Sequence, residues 1–212
     1  MGDRPVFELD HKTPLQAAIL PTINKLTKEG QCGIADPVKP GIVASTVSGT
    51  LAILGYDPLE KCLSRGVVEA FGCGMKINIG DLAFRGNWAT LDEKGLIVDR
   101  RAGRIREGIN ELALSITRLK IDNVRFYVSA GTEHRIAIVM RGSGLQDCIS
   151  GSDPGDHFHS GINPRPIKPL NKNNPKCLRT AELINMFELK VRDNLATTFY
   201  NQKLKSVNIN NY

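Results

Sequence analysis

Val124-Arg125-Phe126-Tyr127-Val128-Ser129-Ala130, then a Gly131-Thr132 turn, then Arg135-Ile136-Ala137-Ile138-Val139-Met140-Arg141: two short runs rich in β-branched and aromatic residues, with a turn between them, predict a pair of strands. Working outward toward the N-terminus, Gly103 to Leu119 carries apolar residues at helical spacing (Ile105, Ile109, Leu112, Leu114, Ile116) and predicts a helix. Before it, Asp81 to Ala89 and Leu96 to Asp99 read as strands joined by a turn around Asp92 to Gly95. Strand pair, helix, strand pair implies an α/β fold in which a helix lies across one face of a small mixed sheet.

The flanks are less regular. Thr13 has the position of an N-cap, with Pro14 in the first helical turn and Gln16 completing a capping box. Pro21 restarts a helix that stops at Gly30. Gln31 to Thr50 is rich in Gly, Pro, Ser and Thr and predicts a long structured loop. A short helix from Leu51 follows, closed by Gly55 and a turn at Asp57-Pro58. Beyond the second strand pair, Gly142 to Pro175 reads as loop or linker, Thr180 to Thr197 as an amphipathic helix (Leu183, Phe187, Val191, Leu195), and Gln202 to Tyr212 as a frayed tail. Three segments result: residues 1–58, an α/β segment over 59–175, and a helix with its tail over 176–212.

The chain has 212 residues, 41% hydrophobic and 24% charged, a composition that excludes disordered and fibrous classes. Lys and Arg exceed Asp and Glu by 28 to 22, which favours anionic partners of any size. With one Trp, four Tyr and seven Phe, and no stripe of alternating aromatics and bases, nucleic acid is not the expected partner. The five cysteines (Cys32, Cys62, Cys73, Cys148, Cys177) are scattered and form no CxxC, so neither a disulfide framework nor a zinc site is expected. A reduced, cytoplasmic setting fits that usage. The N-terminus is polar, no run of 18 apolar residues occurs, and no leader peptide or membrane span is expected.

Asp99-Arg100-Arg101-Ala102-Gly103-Arg104-Ile105-Arg106 places four arginines where a strand is expected to give way to a helix. Guanidinium groups make planar, bidentate contacts with phosphate and carboxylate. A helix start adds free backbone N–H groups and the positive end of its dipole. Asp99 would steer a guanidinium or accept a substrate hydroxyl. On the preceding strand Arg85 and Asn87, two residues apart, share one face, and His134-Arg135 opens the last strand. A solvated basic face is the plain alternative for the charge run, and a surface role the plain one for His134. Together the three segments predict an arginine-lined pocket for a small anion.

Several ordered segments resemble one family. Gly2-Asp3-Arg4-Pro5, Lys12-Thr13-Pro14-Leu15-Gln16-Ala17-Ala18, Leu54-Gly55-Tyr56-Asp57-Pro58, Gly80-Asp81-Leu82-Ala83-Phe84-Arg85-Gly86-Asn87, Ile97-Val98-Asp99-Arg100-Arg101-Ala102-Gly103-Arg104-Ile105 and Gly131-Thr132-Glu133-His134-Arg135 resemble the N-terminal half of the archaeal-type, cofactor-independent phosphoglycerate mutases. That family belongs to the alkaline-phosphatase-like superfamily. The resemblance implies interconversion of 3- and 2-phosphoglycerate in glycolysis, with two divalent metals (Mn or Mg) and a phosphoserine intermediate. It also implies a metal-bearing domain interrupted by one that holds the glycerate. Residues 1–58 would be a remnant of the first domain. Arg85, Asn87, Asp99, Arg100, Arg101, Arg104, His134 and Arg135 would hold substrate in the second.

The departures are specific. The family's metal-ligating Asp before Gly-Asp-Arg-Pro has no counterpart before Met1. The nucleophile region, Gly-Ser-Asp-Thr-Ala-His in the family, reads Ser45-Thr46-Val47-Ser48-Gly49-Thr50 here. Thr46 stands at the nucleophile position, and Val47 and Thr50 replace the Asp and His. A threonine attacks only when a base or metal activates it, and the loss of both neighbours argues against that role. The family's remaining metal ligands come from a C-terminal segment that this sequence does not match. Asp153, Asp156, His157 and His159 are the only group with metal-like spacing, and a solvated Gly-rich loop is the expected reading for them. Where the family has a His after Asp-Pro, Gly155 stands here. The chain therefore reads as a phosphoglycerate mutase that is incomplete or inactive by itself, with no metal of its own and a separate C-terminal chain as partner. A non-catalytic organophosphate-binding module is the alternative.

Overall fold

The computed structural model describes residues 4–60, 63–155, 161–197 and 207–211, with side chains described as far as residue 195. The chain divides into two compact units, Met1–Leu59 and Glu60–Tyr212.

The first unit contains three short helices, α1 (Pro14–Ala17), α2 (Pro21–Glu29) and α3 (Thr46–Ile53). The capping box at Thr13 forms as its sequence predicts: Gln16 N donates to Thr13 Oγ1 at 3.2 Å and Thr13 N donates to Gln16 Oε1 at 2.8 Å. The expected loop over residues 31–50 ends early, because Ser45 and Ser48 build a second capping box that starts α3 at Thr46. A Ser in place of the usual Glu or Gln hid that signal from the sequence. None of the three helices buries a residue.

The second unit is a six-stranded sheet with helices on both faces. Its strands are β1 (Leu82–Leu91), β2 (Ile97–Asp99), β3 (Leu119–Ile121), β4 (Val124–Ala130), β5 (Arg135–Arg141) and β6 (Val207–Asn211); its helices are α4 (Arg65–Gly72), α5 (Ile109–Ile116) and α6 (Pro175–Thr197). The order is β2-β1-β5-β4-β3, with β6 also paired to β1. Every pairing is antiparallel, so the sheet is not mixed as its sequence suggests. The register of β1 and β5 sets Asn87 directly opposite Arg135.

Alternation along the strands separates two cores. Trp88, Phe126, Ile136, Ile138 and Met140 face α5 and α6, joining Leu112, Ile116, Leu183, Ile184, Phe187 and Leu195. The rings of Phe126 and Phe187 stack with centroids 4.3 Å apart. On the opposite face Ala83, Tyr127, Ala137 and Val139 meet Ala70, Cys73 and Met75 in a smaller cluster. There α4 lies so close to β1 that a Cβ on Gly66 would collide with the backbone of Ala83.

Four further expectations change. The helix expected over 103–119 is only Ile109–Ile116, preceded by a 3-10 turn at Ala102–Arg104. Asp99 causes this: its carboxylate accepts the N–H groups of Arg101 (2.8 Å) and Gly103 (2.6 Å), and Gly103 takes a left-handed φ of 62°. Leu114, expected on the apolar stripe, is exposed. The tail is not wholly frayed, since Val207–Asn211 pairs with β1. Cys148 and Cys177 are joined as a disulfide between the segment after β5 and the start of α6, a pairing the scattered spacing did not reveal. No helix among the described residues is long and apolar enough to cross a membrane.

Candidate functional site

Residues 83, 85 and 87 of β1 alternate onto the α4 side of the sheet, and Arg135 faces the same side opposite Asn87. Arg85 and Asn87 thus share a face, as their i, i+2 spacing predicts. Arg100 reaches the same place from the end of β2. Asp153, which follows Asn87 by 66 residues, ties them together. Its Oδ2 accepts Asn87 Nδ2 at 3.1 Å and Arg100 Nη2 at 3.3 Å, and its Oδ1 lies 3.2 Å from Arg100 Nε. Gly155 N closes the turn onto Oδ1 at 2.7 Å. With its side chain only 2% exposed, Asp153 is a buried counter-charge and not part of a solvated loop. Its other proposed metal-site partners, Asp156, His157 and His159, lie outside the described residues.

Arg85 is held from α4, where Glu69 Oε2 lies 3.5 Å from its Nε. Burial and the like charges of Arg135 and Arg65 push the Arg85 guanidinium below the ordinary arginine value, against the pull of Glu69 and Asp153. His134, buried just before β5, is pushed below the ordinary histidine value by burial and then by Arg135 and Arg101, with Glu133 opposing. Its imidazole is therefore neutral near pH 7. Glu133 is drawn down chiefly by the Arg106 hydrogen bond at 2.7 Å. Three buried polar atoms of this cluster, Asn87 Oδ1, His134 Nδ1 and Arg135 Nε, have no hydrogen-bond partner among the described residues. Such atoms cost free energy unless something beyond the described residues meets them.

Both carboxylate oxygens of Asp99 accept backbone N–H groups and so brace the turn that carries Arg100 and Arg101. Arg104 stands exposed at the rim. The expected helix start beneath the arginines is absent, so the cluster draws on side chains and not on a helix dipole. Thr46 belongs to the first unit, where it is exposed at the first position of α3. Sequence reasoning missed Arg65, Glu69 and the bridging part of Asp153. Ser64, the N-cap of α4, and Arg65 with Glu69 at i, i+4 were the available signal for the first two. Among the described residues no three of His, Cys, Asp and Glu come together as ligands.

Comparison with known proteins gives a consistent picture. The family model of the 2,3-bisphosphoglycerate-independent phosphoglycerate mutases matches residues 27–201. The chain is 42% identical over 207 residues to the enzyme of that name from Saccharolobus solfataricus, covering 96% of this chain and 49% of the relative. It is 40% identical over 193 residues to the one from Methanobrevibacter smithii, covering 90% and 46%. Among solved structures it is similar to the cofactor-independent phosphoglycerate mutase from Thermoplasma acidophilum, with a TM-score of 0.64 at 38% identity, over 100% of this chain and 56% of that one. The PH0037 protein from Pyrococcus horikoshii gives 0.64 at 25% identity, over 100% and 48%. The chain spans about half the length of the curated relatives it matches.

Proposed function

Because the chain belongs to the 2,3-bisphosphoglycerate-independent phosphoglycerate mutase family, we propose that its second unit is the substrate-holding part of such an isomerase. The observation that carries this reading is the set of unmet buried atoms. Arg135 Nε and a His134 ring nitrogen offer donors to anionic oxygens, while Asn87 Oδ1 offers an acceptor. A phosphorylated hydroxy acid supplies both kinds of partner: phosphate and carboxylate oxygens for Arg85, Arg100, Arg101 and Arg135, and a hydroxyl for Asn87. An anion also relieves the mutual repulsion of Arg85, Arg135 and Arg65.

On this reading the chain's own residues bind and orient the glycerate portion of 3- or 2-phosphoglycerate, within glycolysis and in the cytoplasm. The half of the relatives' length that this chain does not match would complete an alkaline-phosphatase-like domain. That half would hold the two divalent metals (Mn or Mg). The apolar surface of the first unit supports contact with it. A second reading, a non-catalytic organophosphate-binding module, is favoured by α3: the hydroxyls of Ser45 and Ser48 are engaged in its cap, and Val47 and Thr50 provide neither acid nor base beside Thr46.

An interconversion assay decides between the two. The chain alone, with Mn²⁺, should give no turnover of 3-phosphoglycerate. A polypeptide spanning the relatives' other half, added in equal amount, should restore turnover. Turnover by the chain alone refutes the incomplete-enzyme reading, and no turnover in the mixture, with binding intact, leaves the binding module standing.

A further inference from the structure

The helix α6 lies on the face of the sheet opposite α4, and its apolar residues Leu183, Ile184, Phe187, Val191 and Leu195 complete the larger core. Glu188 interrupts that pattern. It is only 6% exposed, in a position where burying a carboxylate costs free energy unless hydrogen bonds compensate. Its Oε1 accepts a bond from Ser152 Oγ at 3.0 Å, and Ser152 is itself 2% exposed. The next residue along the chain is Asp153, which bridges Arg100 and Asn87. One turn earlier on α6, Asn185 grips the backbone of Ile167 through both N–H and C=O at 2.9 Å. Two polar side chains of one helix thus fasten two different parts of the connection between β5 and α6. Only the Glu188 tie leads directly to the arginine site.

We propose that Glu188 is a positioning residue for the arginine site: by fixing Ser152 it holds Asp153 where its carboxylate aligns Arg100 and Asn87. The ligand part of this proposal rests on the anion-binding reading above. A buried carboxylate is a strong acceptor for a hydroxyl donor, and Ser152 directly precedes Asp153. A shift of Ser152 therefore moves Asp153 and the side chains it orients.

The test compares Glu188→Ala, Glu188→Gln, Ser152→Ala and Asn185→Ala in the full chain. One readout needs no ligand: the NMR signals of the Asn87 side-chain NH₂ and the Arg100 Nε–H. The second is the affinity for 3-phosphoglycerate by calorimetry, without metal. Glu188→Ala and Ser152→Ala should both displace the two signals and weaken binding by about tenfold, the scale set by loss of a buried hydrogen-bonded partner. Glu188→Gln keeps an acceptor for Ser152 and should restore most of the affinity. Asn185→Ala removes the other tie of α6 to the same connection and should leave both readouts near wild type. If Glu188→Ala fails to fold, Ser152→Ala and Glu188→Gln carry the same comparison. Unmoved signals in Ser152→Ala, or equal changes from Asn185→Ala, overturn the proposal. If wild type binds no 3-phosphoglycerate, the anion-binding reading fails, while the ligand-free signals still decide the part played by Glu188.

Discussion

The two units use their apolar residues in opposite ways. In the first, Ile19 is 93% exposed and Val43 94%, and no residue of α1, α2 or α3 is buried. In the second, Trp88, Phe126, Phe187, Leu112 and Met140 are fully enclosed by a sheet and two helices. Apolar burial is the main favourable term in folding, so the second unit has the means to hold its own structure and the first does not. Exposed apolar surface of that extent marks an interaction site in a soluble protein. The arginine cluster lies within the unit that has a core, which gives its guanidinium groups a rigid frame. Thr46 lies in the unit that lacks one.

The contrast is easiest to break with core truncations. Phe187→Ala removes a ring stacked on Phe126 and should destabilise the chain by about 3–5 kcal/mol in urea unfolding. Ile53→Ala, at an 81% exposed position in α3, should change it by less than about 0.5 kcal/mol. A large loss from Ile53→Ala would mean that the first unit is buried in solution, and the contrast would fail.

A smaller effect sharpens the electrostatic half of the comparison. Burial and neighbouring arginines hold His134 below the ordinary histidine value. A histidine depressed in the folded state binds its proton more readily when unfolded. Its contribution to stability is therefore present above the ordinary value of about 6.5 and lost as pH falls below it. His134→Asn should flatten the stability profile between pH 7 and 5. Bound 3-phosphoglycerate, by adding negative charge beside Arg135 and Arg101, should lift the His134 titration in NMR. A His134 titration unmoved by ligand would place the anion elsewhere.

What the sequence made legible follows physical range. The strands over 124–130 and 135–141 are long enough to show their composition, and their bounds match β4 and β5. Arg85 and Asn87 share a face because the strand period alone requires it. β2 and β3 both have three residues; the turn at Asp92 to Gly95 marks β2 in the sequence, while no such signal marks β3. The shortened α5 depends on Asp99 bonding to its own backbone, a local alternative that competes with helix and leaves the apolar spacing unchanged. Asp153 is the sharpest case. Its spacing with Asp156, His157 and His159 suggested a metal or a solvated loop, and only the fold brings it beneath Arg100 and Asn87. Long-range pairing of this kind leaves no periodic trace in one sequence.

The central claim is that the arginine cluster is a shaped anion site and not a diffuse basic surface. Calorimetric titration of the metal-free chain with 3-phosphoglycerate, in wild type, Arg100→Lys and Lys25→Ala, tests it most directly. Wild type should bind with a dissociation constant on the order of 1 mM, since each charge-assisted bond contributes about 1.5–3 kcal/mol before the cost of association. Arg100→Lys keeps the charge but loses the planar fork that Asp153 aligns, and should weaken binding severalfold. Lys25, exposed on α2 beside Glu29, should be replaceable without effect. Equal losses from the two substitutions, or undiminished binding in Arg100→Lys, would contradict the account.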